Sequence, residues 1–287
     1  MLKKAVITSA GLGTRLLPYT KEIPKEMLPI FCRTPRGIFL KPALQLIFEQ
    51  LYNIGIREFC FIIGRGKRVI EDYFTPDNSF IRYLKKKNKN MVAEELEEFY
   101  SQVENSTLVW INQPEPRGFG DAVRLSEPFV GNSNFLLAAG DNYIISPGNN
   151  YLKKLIDIHV SMENHATLSV FKVDDPKSFG VVMGDRLNSD IVRIRKAVEK
   201  PQTPISNLAL ISLHVFHPVI FKALKGIEPG YAGEYQLTDA IQKLVEWNYR
   251  VYALEMKKNV FRLDIGTPQS YWRAIEYSYS SSGYDEN

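Results

Sequence analysis

Glycines and cations near the start of the chain set the first chemistry to consider. Gly11 and Gly13 come shortly after the apolar run Ala5-Val6-Ile7, and Arg15 and Lys25 follow them. A glycine-rich turn after a first strand lets backbone N–H groups, here those of Ala10-Gly11-Leu12-Gly13-Thr14, approach phosphate oxygens. Arg15 offers a planar fork to a polyphosphate and Lys25 a mobile point charge. Two cations beside a backbone cradle suit a triphosphate that leaves as pyrophosphate. The turn is not a dinucleotide fingerprint, because Leu16 stands at the third glycine position. Gly64-Arg65-Gly66-Lys67-Arg68 is not a P-loop, since it lacks the earlier glycine and the following Ser or Thr.

Other groups are weaker pointers. Asp141 follows the apolar run Phe135-Leu136-Leu137-Ala138-Ala139, at the strand end where α/β sheets bind ligands. Taken singly, Asp141 could cap a helix and Asp264 could sit in a turn. His214 and His217 lack a carboxylate partner in motif, so they read as structural. No Ser-His-Asp or Cys-His arrangement is visible. Cys32 and Cys60 have no metal-type spacing and read as ordinary reduced thiols.

The elements that must position these groups read as follows. Lys3–Ser9 and Glu58–Ile63 are buried strands, and apolar residues at helical spacing from Leu40 to Ile54 predict a helix between them, capped by Gly55. This is a βαβ unit with a parallel sheet. Further strands are expected at 107–112, 134–139, 167–173, 179–183, 191–198, 209–216, 250–255 and 260–264. Further helices are expected at 150–163, 234–247 and 268–279. The second half has more consecutive strands, which predicts a mixed sheet with an antiparallel section. The run Lys85–Lys89 lies beside the acidic run Glu94–Glu98. That pairing favours a solvated helical hairpin over a nucleic-acid site.

The 287 residues suffice for one sizeable core. A net charge of +4 is weak for a nucleic-acid binder and suits a protein that handles phosphates. No stretch is apolar enough to span a bilayer, and the N-terminal apolar run stops too early for a signal peptide. A cytoplasmic protein without membrane or nucleic-acid partners is therefore expected.

Gly11-Leu12-Gly13-Thr14-Arg15-Leu16-Leu17-Pro18-Tyr19-Thr20, followed by Pro24-Lys25-Glu26-Met27-Leu28-Pro29, resembles the signature of the sugar-1-phosphate nucleotidylyltransferases. Gly64–Phe74 and Gln113–Ala122 look like the UTP–glucose-1-phosphate uridylyltransferase branch, and the matching segments span most of the chain. The resemblance implies a Rossmann-like mixed β-sheet flanked by helices, of the nucleotide-diphospho-sugar transferase type. It implies one nucleotidyltransferase domain over 1–287, with a nucleotide half at about 1–145, a sugar half with a C-terminal helix at about 146–279, and a frayed tail at 280–287. It implies transfer of a uridylyl group from UTP to glucose 1-phosphate, giving UDP-glucose and pyrophosphate, with dTTP as the alternative donor. A homo-oligomer, dimer or tetramer, is also implied.

The same resemblance implies residue roles. Gln113 and the Gly118 backbone face the base, and an amide can accept from uracil N3–H and donate to O4. Asp141 and Asp264 hold Mg²⁺, a cation that takes few protein carboxylates. Lys200 binds the sugar phosphate and shares catalysis with Arg15 and Lys25. Glu199 accepts from sugar hydroxyls, while Gly180, Asn207 and Glu234 complete the sugar site. Glu234 reads equally well as a helix start. Three features depart from the pattern: the long segment 31–39, Asn142 in place of a second aspartate, and Asp121 in place of histidine. The alternative of another class is a non-catalytic nucleotide-sugar sensor on the same fold.

Overall fold

The computed structural model describes residues 2–282. The expected frayed tail, 280–287, starts too early: the last helix runs on to Ser281, and the part from 283 onward lies outside the described residues. Among the described residues thirteen strands follow in chain order: β1 (Lys4–Ser9), β2 (Pro29–Thr34), β3 (Gly37–Pro42), β4 (Glu58–Gly64), β5 (Thr107–Gln113), β6 (Phe135–Ala139), β7 (Asn142–Ile145), β8 (Ala166–Lys172), β9 (Gly180–Arg186), β10 (Ile191–Glu199), β11 (Leu208–Phe216), β12 (Val251–Glu255) and β13 (Phe261–Asp264). Nine of the described strands form one sheet in the order β5-β4-β1-β6-β11-β8-β12-β10-β9. β5, β4, β1 and β6 run parallel, whereas β11 enters antiparallel to β6 and β8. The expected mixed sheet is present, and the strand positions agree within a residue or three.

Ten α-helices are described: α1 (Ala43–Asn53), α2 (Arg68–Tyr73), α3 (Asn78–Lys86), α4 (Asn90–Glu104), α5 (Phe119–Leu125), α6 (Glu127–Val130), α7 (Asn150–Ser161), α8 (Val219–Lys225), α9 (Leu237–Glu246) and α10 (Pro268–Ser281). They cover both faces of the sheet. Alternate residues of β1 show why: Val6 joins a core with Leu137, Ala240 and Leu244, while Ala5 and Ile7 join another with Phe48, Phe59 and Phe61. Strand side chains alternate faces, so a strand apolar at every position is buried on both. Phe48 of α1 is fully buried, with its ring centroid 4.6 Å from that of Phe59.

Two helix starts differ from the reading above. α1 begins at Ala43, not Leu40, because Pro42 disfavours helical backbone at Lys41. α9 begins at Leu237, not Glu234, which is extended at φ −103° and ψ 149°. The long segment at 31–39 is a β2–β3 hairpin. The charged segment is the helical pair α3–α4, but it is not wholly solvated. Glu95 is buried, where it takes Lys41 at 2.7 Å and Arg36 at 3.0 Å, so α4 clasps the hairpin.

Strand order reverses about β1, which has β4 on one side and β6 on the other. Ligands of open α/β sheets bind in the crevice beyond the carboxyl ends of strands at such a point. The register brings Ser9 beside Ile63, Gly64 beside Gln113, and Thr8 beside Ala139. The loops after β1, β5 and β6 therefore open into one crevice.

Candidate active site

A cavity of about 750 Å³ occupies this crevice. Its wall includes Ala10, Gly11, Leu12, Gly13, Thr14, Arg15 and Lys25 from the loop after β1, Gln113 and Gly118 from the end of β5 and the loop after it, and Asp141, Asp264 and Glu234. Twelve of the sixteen residues singled out from sequence thus meet at one cavity. Lys200, Glu199, Gly180 and Asn207 do not line it.

The first loop turns tightly after β1. Gly13 has φ +66° in the left-handed region, and Thr14–Leu16 form a single 3₁₀ turn. Thr20 donates back to the Gly13 carbonyl at 2.7 Å, which closes the loop. Arg15 is exposed and makes no ion pair among the described residues. A β-carbon at Gly266 would lie 3.2 Å from Arg15 Nη2 and 3.1 Å from Asp264 Oδ2, so both groups reach the same spot.

Lys25 donates to Asp141 in a short, mostly buried ion pair. Burial by itself pushes the Asp141 carboxyl up, but the Lys25 charge and hydrogen bond outweigh it and hold the group below its ordinary value. Burial pulls Lys25 down, but Asp141 and Glu26 outweigh it and raise it. Both partners therefore stay charged at neutral pH. Behind them Glu26 and Lys67 form a second buried pair at 2.9 Å. There burial wins, raising Glu26 and lowering Lys67. Sequence reasoning assigned neither residue a role; Lys67 stands between exposed residues, so only the fold reveals the pair.

Asp141 follows β6, and Asp264 closes β13. β13 pairs antiparallel with β7, with Asp264 opposite Asn142, and the Ile265 N–H donates to the Asp141 carbonyl at 2.9 Å. The Asn142 amide nitrogen lies 2.9 Å from Asp141 Oδ1 and 3.3 Å from Asp264 Oδ1. One side-chain amide thus touches both carboxylates. Neither is a helix cap; the ladder sets both at the cavity. Arg262, unassigned from sequence, also lines it and donates to Asn142 Oδ1 at 3.1 Å. It stands two residues before Asp264 on the strand, and strand alternation is the signal that finds it.

Gln113 is buried at the end of β5. Its Nε2 donates to Asp121 Oδ2 at 2.9 Å and to the Gly118 carbonyl at 3.3 Å. Both amide hydrogens are used, so the amide presents an acceptor and cannot also donate to a base as the sequence reading had it. Gly118 has φ +112°, and a β-carbon there would come within 2.7 Å of the Tyr235 carbonyl. Only glycine fits. The tight fit brings the loop after β5 against the segment that carries Glu234.

Lys200 lies on the β9–β10 side. Its N–H donates to the carbonyl of the cavity-lining Phe179 at 3.0 Å. Its Nζ sits 3.7 Å from Glu199 Oε1 and 4.7 Å from the Tyr231 ring centroid. Its φ of +39° is uncommon for lysine, and such strain clusters at functional positions. Glu199 Oε2 accepts from Thr238 at 2.6 Å, and a β-carbon at Gly180 would be 2.8 Å from it. Asn207 is exposed, and its carbonyl accepts from Val173 at 3.1 Å.

The histidines are structural. His214 is buried and accepts the Ser169 N–H at 3.4 Å, and His217 Nδ1 accepts the Val219 N–H at 3.1 Å. Among the described residues no group of three or more His, Cys, Asp or Glu is placed to hold a metal ion. No described helix is long and apolar enough to cross a membrane.

Comparison with known proteins agrees with this geometry. The nucleotidyl transferase family profile matches residues 4–280. A UTP–glucose-1-phosphate uridylyltransferase of Staphylococcus epidermidis is 34% identical over 282 residues, covering 96% of this chain and 92% of that protein. One from Bacillus subtilis is 37% identical over 269 residues, covering 92% and 87%. A UDP-glucose pyrophosphorylase crystallised with UDP-glucose superposes with a TM-score of 0.83 at 29% identity, covering 98% of this chain and all of the other. A UTP-bound enzyme from Acinetobacter baumannii gives a TM-score of 0.82 at 28% identity, covering 96% and 93%. The chain therefore belongs to the nucleotidyl transferase family, among its UTP–glucose-1-phosphate uridylyltransferases.

Proposed function

We infer that this protein transfers a uridylyl group from UTP to glucose 1-phosphate, forming UDP-glucose and pyrophosphate. The observation that carries this reading is one cavity holding a glycine-rich cradle, two cations, two carboxylates and a base-facing amide. The relatives named above supply the substrates.

An oxygen of the sugar phosphate attacks the α-phosphorus in line. The new P–O bond forms as the bond to the bridging α–β oxygen breaks, and the electron pair leaves with pyrophosphate. The nucleophile is already anionic, so no general base is needed. Catalysis is positioning and charge neutralisation. In this reading Arg15 and Lys25 neutralise the triphosphate, and Lys200 holds the sugar phosphate with Glu199, Gly180, Asn207 and Glu234 around the sugar. Residues of about 1–145 serve the nucleotide and those of about 146–279 the sugar.

The carboxylates suit Mg²⁺. Asp141 and Asp264 are both within hydrogen-bond reach of the same Asn142 amide nitrogen, and a hard cation takes oxygen donors of this kind. When bound, the ion would neutralise phosphate charge. The apolar face of Tyr19, Leu28, Tyr271 and Trp272 supports association of copies in solution, with Trp272 65% exposed. A cytoplasmic setting belongs to the same proposal.

The test is an initial-rate panel of UTP, dTTP, CTP, ATP and GTP with glucose 1-phosphate, read by pyrophosphate release. UTP should lead. Absence of pyrophosphate with every nucleotide, despite binding, would leave the sensor.

A further inference from the structure

We propose that Asp121 is a positioning residue that decides which nucleobase the cavity accepts. By holding the nitrogen of the Gln113 amide, it turns the Gln113 oxygen toward the base and so selects uracil and thymine over cytosine. The proposal rests on the uridylyl-transfer reading of the cavity.

A side-chain amide has a donor end and an acceptor end of nearly the same shape, so its environment must choose between them. Here the choice is forced. Asp121 is buried and takes Arg124 Nη2 on Oδ1 at 2.7 Å and Gln113 Nε2 on Oδ2 at 2.9 Å. A carboxylate accepts and does not donate. Reversing Gln113 would set its oxygen against the Asp121 oxygen, and against the Gly118 carbonyl, with no proton in either gap. Gln113 Oε1, by contrast, accepts no hydrogen bond among the described residues, and Gln113 lines the cavity.

Uracil and thymine carry a donor at N3, which meets that oxygen. Cytosine carries an acceptor at N3. It can satisfy the same oxygen only by sliding until its amino group replaces N3, and the glycine-only fit at Gly118 restrains the loop that would have to follow. A site built to accept a hydrogen bond discriminates strongly against a ligand that cannot donate it. Guanine shares the uracil edge, so its exclusion rests on the size of the slot and not on Asp121.

Asp121→Asn is the sharpest test because the shapes match. The Arg124 guanidinium can only donate, so it claims the Asn oxygen. The Asn nitrogen then faces Gln113 at the shorter of its two contacts, which favours the reversed amide over the longer one to the Gly118 carbonyl and turns the Gln113 nitrogen to the base. We therefore expect the CTP-to-UTP ratio of kcat/KM to rise by about tenfold or more. The dTTP-to-UTP ratio and the KM for glucose 1-phosphate should stay within about twofold, since thymine shares the uracil edge. Asp121→Asn combined with Arg124→Ala should return the ratio toward that of the unaltered protein, because the Asn oxygen is then free to face Gln113. Asp121→Ala, which leaves the amide held only by the longer contact to the Gly118 carbonyl, should also raise the ratio and serves if the Asn variant is poorly folded. Thermal melting checks the fold of each variant. A CTP-to-UTP ratio unchanged in the folded variants overturns the proposal. So does an equal loss on all three nucleotides, which is what a merely structural role would give. Failure of the unaltered protein to use UTP would instead sink the uridylyl-transfer reading itself.

Discussion

Asp264 stands directly opposite Asn142 in the short antiparallel ladder of β7 and β13, and the Asn142 amide nitrogen lies 2.9 Å from Asp141 and 3.3 Å from Asp264. Four residues of strand on each side are enough to bring together carboxylates from distant parts of the chain. If these carboxylates hold Mg²⁺, Asp264→Asn should keep the ladder and lose the charge. Turnover should fall at least about 100-fold, beyond the ~10–100-fold typical of groups behind a metal ligand. The apparent Mg²⁺ requirement should also rise. Near-normal rates at limiting Mg²⁺ would remove Asp264 from the metal site.

Arg15 and Lys200 stand on different parts of the fold, one on the loop after β1 and the other at the end of β10. Arg15→Ala should chiefly impair use of the triphosphate, and Lys200→Ala use of the sugar phosphate. Each should cost about 1.5–3 kcal/mol in kcat/KM for its own substrate, the scale of a hydrogen bond to a charged group. Titrating each substrate separately in both variants decides the matter, and identical damage to both substrates would defeat the division.

Glu26 is 1% exposed and its partner Lys67 8%. Lys67→Met should destabilise the fold by about 3 kcal/mol, because it leaves a buried carboxylate with weaker compensation. Combining it with Glu26→Leu should recover most of that loss. Burial raises Glu26 above its ordinary value, so the unfolded chain gives up that proton more readily than the folded one. The stability of Lys67→Met should therefore decline as pH rises above the ordinary carboxyl range. Urea unfolding at pH 5 and pH 8 measures this; a variant equally stable at both would contradict it.

His214 is driven down to about 3 by burial. Its folded-state value is depressed, so the unfolded chain binds a proton below about pH 6.5 that the folded protein refuses. Its contribution to stability is complete above that pH and is lost on acidification. The loss between pH 8 and pH 5 amounts to about 2 kcal/mol. His214→Gln should flatten the pH dependence of urea unfolding by about that amount, whatever it does to stability at pH 8. An unchanged slope would show that His214 is not protonated on unfolding.

Much of the site was legible because local chemistry declares itself along the chain. The run from Gly11 to Lys25 carries glycine, arginine and lysine in one short loop, and the apolar strand before it fixes where that loop must emerge. Strand positions followed from short apolar runs, and β11 could be placed within a residue. Other features were not local. The helix expected from Leu40 lost its first turn to a hairpin, since Pro42 constrains Lys41 and α4 supplies Glu95 to hold it. The acidic run read as solvated until folding brought Arg36 and Lys41 to it.

Residue types and their spacing were enough to show that a glycine-rich loop with two cations follows the first strand, that the sheet is mixed, and which groups are available for the chemistry. It took the folded chain to bring Asp141 and Asp264 to one amide and to clamp Lys25 to Asp141. The fold also decided that Gln113 shows its oxygen to the cavity. The reason is directional. Composition and spacing say which donors and acceptors exist, but a hydrogen bond depends on distance and angle. For groups more than a hundred residues apart, as Lys25 is from Asp141, strand order and register alone set both.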